Sequence, residues 1–303
     1  MILCSGESLI DMVPDQGNFR PLAGGAVYNT TVALGRLGEP TAYLWPISRD
    51  PFGEVLLRPL LEAGVSVDLC PRTDRLTTLA LVTLIGGDAH YAFYDEGSAG
   101  RMLSPQDILT LPDEIEAIFV GGISLVPDPC GAAIEALVTA NHTRLPVMID
   151  PNIRPFFIQD ADAFRARLSR LLPMADIVKL SSDDLEWLYP DMSPEDAARE
   201  VLNSGARMVL QTGGAAGARA IWSGDTVSAP AVRTTVADTI GAGDTFNAGV
   251  LASLRRQGIL SKDGLATITQ DQIRAALTLG AQAAAITVSR AGANPPWGHE
   301  MPS

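Results

Sequence analysis

The stretch Asp238-Thr-Ile-Gly-Ala-Gly-Asp-Thr-Phe246 combines two glycines, a carboxylate and the start of a long helical pattern. Glycines let a backbone turn tightly and aim several N–H groups at one point. The first turn of a helix adds partial positive charge there. Gly241, Ala242, Gly243 and Asp244 are therefore expected to cradle an anion, with the Asp244 carboxylate at the rim. That arrangement suits phosphoryl transfer to a hydroxyl. The N–H groups stabilise the moving phosphoryl group, and Asp244 accepts the hydroxyl proton. Near a helix N-terminus, Asp244 is expected to be ionised at pH 7. The plain alternative is an Asp that caps a helix, preceded by glycines that only turn the chain.

Two common phosphate-binding patterns are excluded. The third glycine of a dinucleotide fingerprint is replaced by Phe246, and the stretch lies far from the first strand. The only lysines, Lys179 and Lys262, precede Leu180 and Asp263, so there is no Gly-Lys-Ser/Thr loop. With so few lysines, backbone dipoles and a divalent ion are expected to do the work of the usual lysine.

The elements that must position these residues alternate along the chain. Strand-like runs are expected over Ile2–Cys4, Ala42–Ile47, Ala117–Val120, Pro146–Ile149, Ile177–Leu180 and Met208–Gln211. Helical patterns are expected over Ala26–Leu37, Phe52–Ala63, Cys130–Ala140, Ala161–Leu172, Pro194–Asn203, Asp244–Arg256 and Asp271–Val288. The last is dense in alanine, which permits close helix packing. Such alternation predicts an α/β fold, a doubly wound parallel sheet covered on both faces. Ligands then bind beyond the C-terminal strand ends, where Asp150, Lys179 and Thr212 converge. One region differs: Thr77–Ile85, then Gly86-Gly-Asp88, then Ala89–Tyr94 reads as a β-hairpin. With Asp11-Met-Val-Pro and Phe19-Arg-Pro-Leu it would build a small sheet forming a lid, contributed by about residues 12–24 and 71–98 of a single domain spanning 1–303.

Bulk properties narrow the class. A formal charge of −13 argues against nucleic acid or an anionic membrane surface as partner. It leaves ATP admissible, because exposed charge is screened beyond about 8 Å while site dipoles act at contact. Hydrophobic residues make up 47% of the chain, enough for a substantial core, yet no apolar run approaches a membrane span. Met1-Ile-Leu-Cys-Ser reads as a first strand rather than a signal peptide. The cysteines, Cys4, Cys70 and Cys130, stand far apart, as do the three histidines; buried thiols in a cytoplasmic chain without a zinc site are expected.

Asp238–Phe246 resembles the C-terminal signature of the PfkB, or ribokinase-like, family of carbohydrate kinases. The family's N-terminal signature is matched by Ala23-Gly-Gly-Ala-Val-Tyr-Asn29 running on to Leu34–Gly38. Asp150-Pro-Asn-Ile-Arg154, Lys179-Leu-Ser-Ser-Asp-Asp184 and Thr212-Gly-Gly-Ala-Ala-Gly217 follow in family order, so the resemblance covers nearly the whole chain. Asp-Pro-Asn-x-Arg looks like the fructokinase and 2-keto-3-deoxygluconate kinase branch.

The resemblance implies a three-layer α/β/α domain whose β lid closes over a sugar. It places the sugar against Asp11, Gly24, Gly25 and Asn29, with Asn152 and Arg154 facing the sugar or phosphate and Tyr94 contributed by the lid. It places the nucleotide against Thr212, Gly214 and Gly217, with Lys179, Ser181 and Asp184 near a Mg²⁺–phosphate water network where the family commonly has Asn-x-x-Glu. Asp238 matches the residue beside a monovalent-cation site, implying K⁺. The implied activity is ATP-dependent phosphorylation of a sugar. Related 2-keto-3-deoxygluconate kinases usually carry arginine after the lid tyrosine; here Asp95 stands there and would repel a carboxylate. A neutral sugar, fructose first, is the resulting expectation. 2-Keto-3-deoxygluconate kinase is the alternative, followed by ribokinase, a nucleoside kinase or a catalytically silent sugar-binding protein. A homodimer through the lid is compatible with each.

Overall fold

The computed structural model describes residues 1–85 and 88–302. The strands, in chain order, are β1 (Ile2–Ser5), β2 (Leu9–Asp15), β3 (Asn18–Gly24), β4 (Thr41–Tyr43), β5 (Ile47–Ser48), β6 (Arg72–Thr73), β7 (Leu79–Ile85), β8 (Asp88–Tyr94), β9 (Ala117–Gly121), β10 (Val147–Asp150), β11 (Ile177–Ser181), β12 (Met208–Thr212), β13 (Ala218–Trp222) and β14 (Asp225–Ala229). The helices are α1 (Ala26–Arg36), α2 (Pro51–Glu62), α3 (Cys130–Asn141), α4 (Ala161–Leu171), α5 (Ser182–Leu188), α6 (Pro194–Ser204), α7 (Ala242–Arg256), α8 (Lys262–Ala266) and α9 (Gln270–Val288).

The central sheet has the order β14-β13-β12-β11-β10-β9-β1-β4. Its middle strands read as unbroken apolar runs because helices flank the sheet in an α/β architecture. Ile2 and Leu3, Ile118 to Val120, Val147 to Ile149 and Val209 with Leu210 are all buried. Strands β4, β1, β9, β10, β11 and β12 run parallel. The wholly parallel sheet expected from the sequence is corrected at one edge, where β13 and β14 pair antiparallel. The signal for that edge was local. Ser223 and Gly224 both take positive φ, as a two-residue hairpin turn requires. A second correction concerns Ala42–Ile47. It is not one strand: β4 ends at Tyr43, and Ile47 pairs with Arg72 in a separate two-stranded sheet. Pro46 between them has no N–H to give a ladder.

Helix α7 packs on α9 at backbone contact. A side chain on Gly249 would lie 2.7 Å from the Gly280 Cα. Small residues therefore set how close α7 stands to α9, and with it where the N-terminus of α7 sits. At that N-terminus Gly241 has φ 77°, and a Cβ there would lie 2.8 Å from the Ala293 side chain. Only glycine meets both conditions.

The lid is a four-stranded sheet of order β3-β2-β7-β8. The expected strands near Asp11 and Phe19 are β2 and β3, and Asp88 belongs to β8 rather than to the turn. The turn glycines Gly86 and Gly87 lie outside the described residues. Aromatic rings tie the lid to the body. Tyr91 stacks on Phe156 with centroids 5.3 Å apart, and Phe93 meets Phe157 edge-on at 4.7 Å. An aromatic pair adds about 0.5–1.5 kcal/mol beyond its buried area. Phe157→Ala is therefore expected to speed amide hydrogen exchange in β8 by roughly two- to tenfold, with exchange in α7 unchanged. Unchanged exchange in β8 would mean that these rings do not hold the lid.

Candidate active site

Asp244 sits in the first turn of α7 and is only 7% exposed. Its Oδ2 accepts a 2.8 Å hydrogen bond from Asn29 Nδ2, and its Oδ1 lies 3.5 Å from Asn152 Nδ2. The Asp244 carbonyl accepts from Thr30 Oγ1 at 3.1 Å, which pins α1 against α7. Burial pushes the Asp244 carboxyl up to about 7; the Asn29 hydrogen bond pulls it back, the Asp150 charge adds to the rise, and Lys179 and Arg154 oppose it. A carboxylate fully ionised at pH 7 was the expectation. The cost of taking its charge out of water outweighs the helix N-terminus and the amide donor. A group poised near neutrality suits proton transfer better than an ordinary surface aspartate does.

Beside it, the N–H groups of Gly241, Gly243 and Asp244 have no hydrogen-bond acceptor among the described residues. Ala242 differs: its N–H reaches the Thr239 carbonyl at 3.3 Å. So three of the four expected donors stand free. These are the unspent donors of a helix N-terminus, where an anion is stabilised.

The chain also brings a cation to this place, contrary to the expectation that backbone dipoles would act without a lysine. Lys179, 4% exposed, projects from β11 so that its Nζ lies 3.4 Å from where a Gly243 Cβ would stand. It pairs with Asp150 Oδ2 at 3.2 Å, and Asp150 Oδ2 also accepts from Asn247 Nδ2 at 2.7 Å. Burial works against the ammonium, but the Asp150 and Asp184 charges more than offset it and hold Lys179 above its usual range. Asp150 at the end of β10 in turn fixes Asn152, whose N–H donates to Asp150 Oδ1 at 3.0 Å. Asn152 takes φ 45°, a conformation asparagine tolerates, and its amide turns toward Asp244.

The sugar-side candidates gather on β2, β3 and α1. Asp11 stands on β2, and burial pushes its carboxyl up to about 6. Gly24 closes β3, where any Cβ would collide with the Asp11 carboxylate; Gly25 follows with φ 116°, and Asn29 stands one turn into α1. Arg154 caps the short turn Pro155–Phe157, near enough to lower the Asp244 carboxyl by its charge. Tyr94 does not join them: it is 62% exposed at the end of β8. Tyr91 lies three residues away, on the other face of the strand. Burial raises its hydroxyl, with further shifts from the charges of Asp11, Arg154 and Asp238. Its position was not legible without the register of β8. Asp95, expected to repel a carboxylate, is paired with Arg101 at 2.8 Å, so its charge is largely answered from within the chain.

The nucleotide-side candidates occupy neighbouring strand ends. Ser181 of β11 faces Thr212 of β12 in register, and Gly214 and Gly217 shape the turn from β12 to β13. Gly217 has φ 89° and abuts the Ala229 carbonyl. Ser181 and Asp184 form a capping box for α5. Asp184 is 2% exposed; its Oδ1 accepts from the Ile153 N–H at 2.7 Å and its Oδ2 from the Ser181 N–H at 2.7 Å. Those bonds hold the Asn152–Arg154 segment to β11 and leave the carboxylate spoken for. Close to Gly217 and the 229–231 segment, a cavity of about 150 Å³ lies between Val232, Thr234, the α9 residues Gln282, Ala285 and Ile286, and Ser289 just after the helix. No motif marked this groove in the sequence. Asp238 is also engaged, its oxygens accepting from the N–H groups of Ile240 at 3.0 Å and Gly292 at 2.9 Å.

Free N–H groups at a helix N-terminus, a buried carboxyl near neutrality and a small second sheet meet at one place. Residues 1–299 match the pfkB family carbohydrate kinases. The chain belongs to that family. It is 45% identical over 279 residues to a fructokinase from Rhizobium leguminosarum bv. trifolii, covering 90% of this chain and 86% of the relative. A fructokinase from Klebsiella pneumoniae is 32% identical over 289 residues, covering 92% and 91%. Among solved structures, a fructokinase from Xylella fastidiosa with bound ATP superposes with a TM-score of 0.87 at 28% identity, covering 99% of this chain and 94% of that one. As a pfkB carbohydrate kinase, the chain is a sugar phosphotransferase, and none of its described helices is long and apolar enough to cross a membrane.

The raised Asp244 carboxyl carries a stability cost with a definite sign. Between the unfolded value of about 4 and the folded value of about 7, the folded chain holds a proton that the unfolded chain has shed. The cost therefore grows as pH rises and is complete above about pH 7. Asp244→Asn is expected to raise Tm at pH 8 and to raise it less at pH 5, as measured by calorimetry. A lower Tm at pH 8 would contradict the burial argument.

Proposed function

We propose that this chain is an ATP-dependent fructokinase that converts fructose to fructose 6-phosphate. The observation that carries the reading is Asp244, a buried carboxyl poised near neutrality beside three unclaimed N–H groups of Gly241, Gly243 and Asp244 itself. The fructokinase named among its relatives at 45% identity supports the choice of sugar. Asp11, Gly24, Gly25, Asn29 and Asn152 bind the sugar, with Arg154 facing the sugar or the phosphate and Tyr91 closing from the lid. Asn29 orients Asp244 through its 2.8 Å hydrogen bond. Asp244 accepts the proton of the attacking primary hydroxyl, whose oxygen bonds to the γ-phosphorus as the bond to the β-phosphate oxygen breaks. The helix N-terminus holds the transferring group, and the Lys179 ammonium beneath Gly243 stabilises its charge. Closing the lid excludes water, which would otherwise compete for the phosphoryl group.

ATP lies along Thr212, Gly214 and Gly217, with its base in the groove between Val232 and α9. The apolar faces of Ala285 and Ile286 suit a flat ring, and the Gln282 amide can hydrogen-bond its edge. Lys179, Ser181 and Asp184 support this side from below rather than by open contact. Mg²⁺ fits as the partner of the nucleotide phosphates. Among the described residues no group of three or more His, Cys, Asp and Glu could hold a metal, and Asp184 has both oxygens engaged. When bound, Mg²⁺ supplies charge neutralisation at the phosphates. K⁺ would be placed beside Asp238. A cytoplasmic location and a dimer made through the lid strands complete the reading.

One observation favours a second substrate class. Tyr91, Phe93 and Phe156 stack beside the sugar-side residues, a surface that would also accept a nucleoside base. The pairing of Asp95 with Arg101 likewise weakens the case against an acidic keto sugar. ADP release with Mg-ATP and K⁺ across fructose, 2-keto-3-deoxygluconate, ribose, glucose and adenosine separates these readings. Fructose is expected to turn over fastest, and a faster nucleoside or acidic sugar would replace it.

Two further outcomes follow from the assigned roles. Asp244→Asn should lower kcat by about a hundredfold or more while ATP affinity stays close to wild type; unchanged kcat would remove the base. Asn29→Ala or Asp11→Ala should raise the KM for fructose far more than that for ATP. Equal effects on both would mean that the sugar lies elsewhere.

A further inference from the structure

Glu7 is a buried acid that the reaction scheme does not use. It lies between β1 and β2 and is 6% exposed. Its Oε1 accepts the N–H of Ala26, the first residue of α1, at 2.9 Å. Its Oε2 accepts the N–H of Ser124 at 3.2 Å, in the short turn that follows β9. The Glu7 carbonyl accepts the Tyr28 N–H at 3.3 Å, one step further into α1. Burial pushes the carboxyl up, and its backbone N–H partners pull it back.

Two glycines make room for this acid. A Cβ on Gly122 would collide with the Glu7 carboxylate, and a Cβ on Gly25 would collide with the Glu7 carbonyl. Gly122 and Gly25 also have φ of 68° and 116°, which L side chains rarely adopt. The backbone is thus shaped around Glu7 from both sides. A glutamate at this depth is costly unless its oxygens are paired, and what pairs them is the start of α1 and the turn after β9.

We infer that Glu7 is a positioning residue for the sugar site, clamping the N-terminus of α1 to the body so that Gly24, Gly25 and Asn29 meet the acceptor and Asp244 in register. Gly24 and Gly25 immediately precede the clamped Ala26. Asn29 follows it by three residues and donates to Asp244 at 2.8 Å. Thr30, the next residue, bonds the Asp244 carbonyl at 3.1 Å. The first turn of α1 is therefore held at one end by Glu7 and at the other by α7. Both Glu7 oxygens already accept a backbone N–H and the side chain is buried, so it acts through α1 rather than by contact.

This inference rests on the proposed sugar kinase reading, and its test separates the two. Glu7→Gln keeps the shape but leaves one oxygen, and it sets an amide NH₂ against the other N–H. Calorimetric binding of fructose without ATP, and of ATP without fructose, gives a readout independent of turnover. Glu7→Gln is expected to weaken fructose binding and raise its KM by roughly tenfold, as for loss of a hydrogen bond to a charged group. ATP affinity should stay within about twofold of wild type by the same reasoning. If Glu7→Gln does not fold, Glu7→Asp carries the test: one methylene shorter, it reaches only one of the two N–H groups and should shift fructose affinity in the same direction. Fructose affinity equal to wild type, or equal losses for both ligands, would overturn the positioning role. A wild-type chain that neither binds nor phosphorylates fructose would instead refute the fructokinase reading.

Discussion

The burial of one carboxylate against the first turn of α7 is the constraint on which the rest of the site depends. Removing Asp244 from water makes its charged form expensive, and the surroundings are arranged to answer part of that cost. Asn29 donates to it, Lys179 lies beneath it, and Arg154 acts from the strand-end loop. The result is an acid near neutrality at the spot where the helix leaves its N–H groups unspent. Each partner comes from a different element: α1, β11 and the segment after β10. The fold is in this sense a device for bringing separate pieces of chain to one helix N-terminus.

That convergence explains features that look unrelated. Gly249 and Gly280 let α7 and α9 touch, which fixes the height of the α7 N-terminus. Thr30 and Thr287 pin α7 from both sides, the latter through a 3.0 Å bond to Thr245. The buried Lys179–Asp150 pair is an expensive choice for stability alone, since charges lose their hydration. Its position under Gly243 fits the proposed role: the same ammonium that pairs with Asp150 adds positive potential at the first turn of α7.

Much of this was legible in the sequence, and for identifiable reasons. The strands at Ile2, Ala117, Ile177 and Met208 are apolar runs at a strand length, and the long helices have clear periodicity and caps. The Gly241–Asp244 turn is marked by residue types and spacing, and it lies at the start of α7 as the helical pattern predicts. Other features depend on register or depth. That Tyr91 rather than Tyr94 turns toward the site follows from which face β8 presents. That Asp184 is spent on the Ile153 and Ser181 N–H groups requires knowing that the loop after β10 lies against α5. The Asp95–Arg101 pair is a contact across a turn, with no periodic signature. The elevation of Asp244 is a matter of burial, which no short motif encodes.

The central claim is therefore about one proton, and it can be read directly. Carbon-13 NMR of aspartate side-chain carboxyls, titrated from pH 4 to pH 9 in the wild-type chain and in Asp244→Asn, isolates the Asp244 resonance by its absence from the variant. The account predicts a single titration with a midpoint close to 7 for that resonance. A midpoint near the ordinary aspartate value of about 4 would show that the site solvates Asp244, and would contradict the claim that burial prepares it as the base.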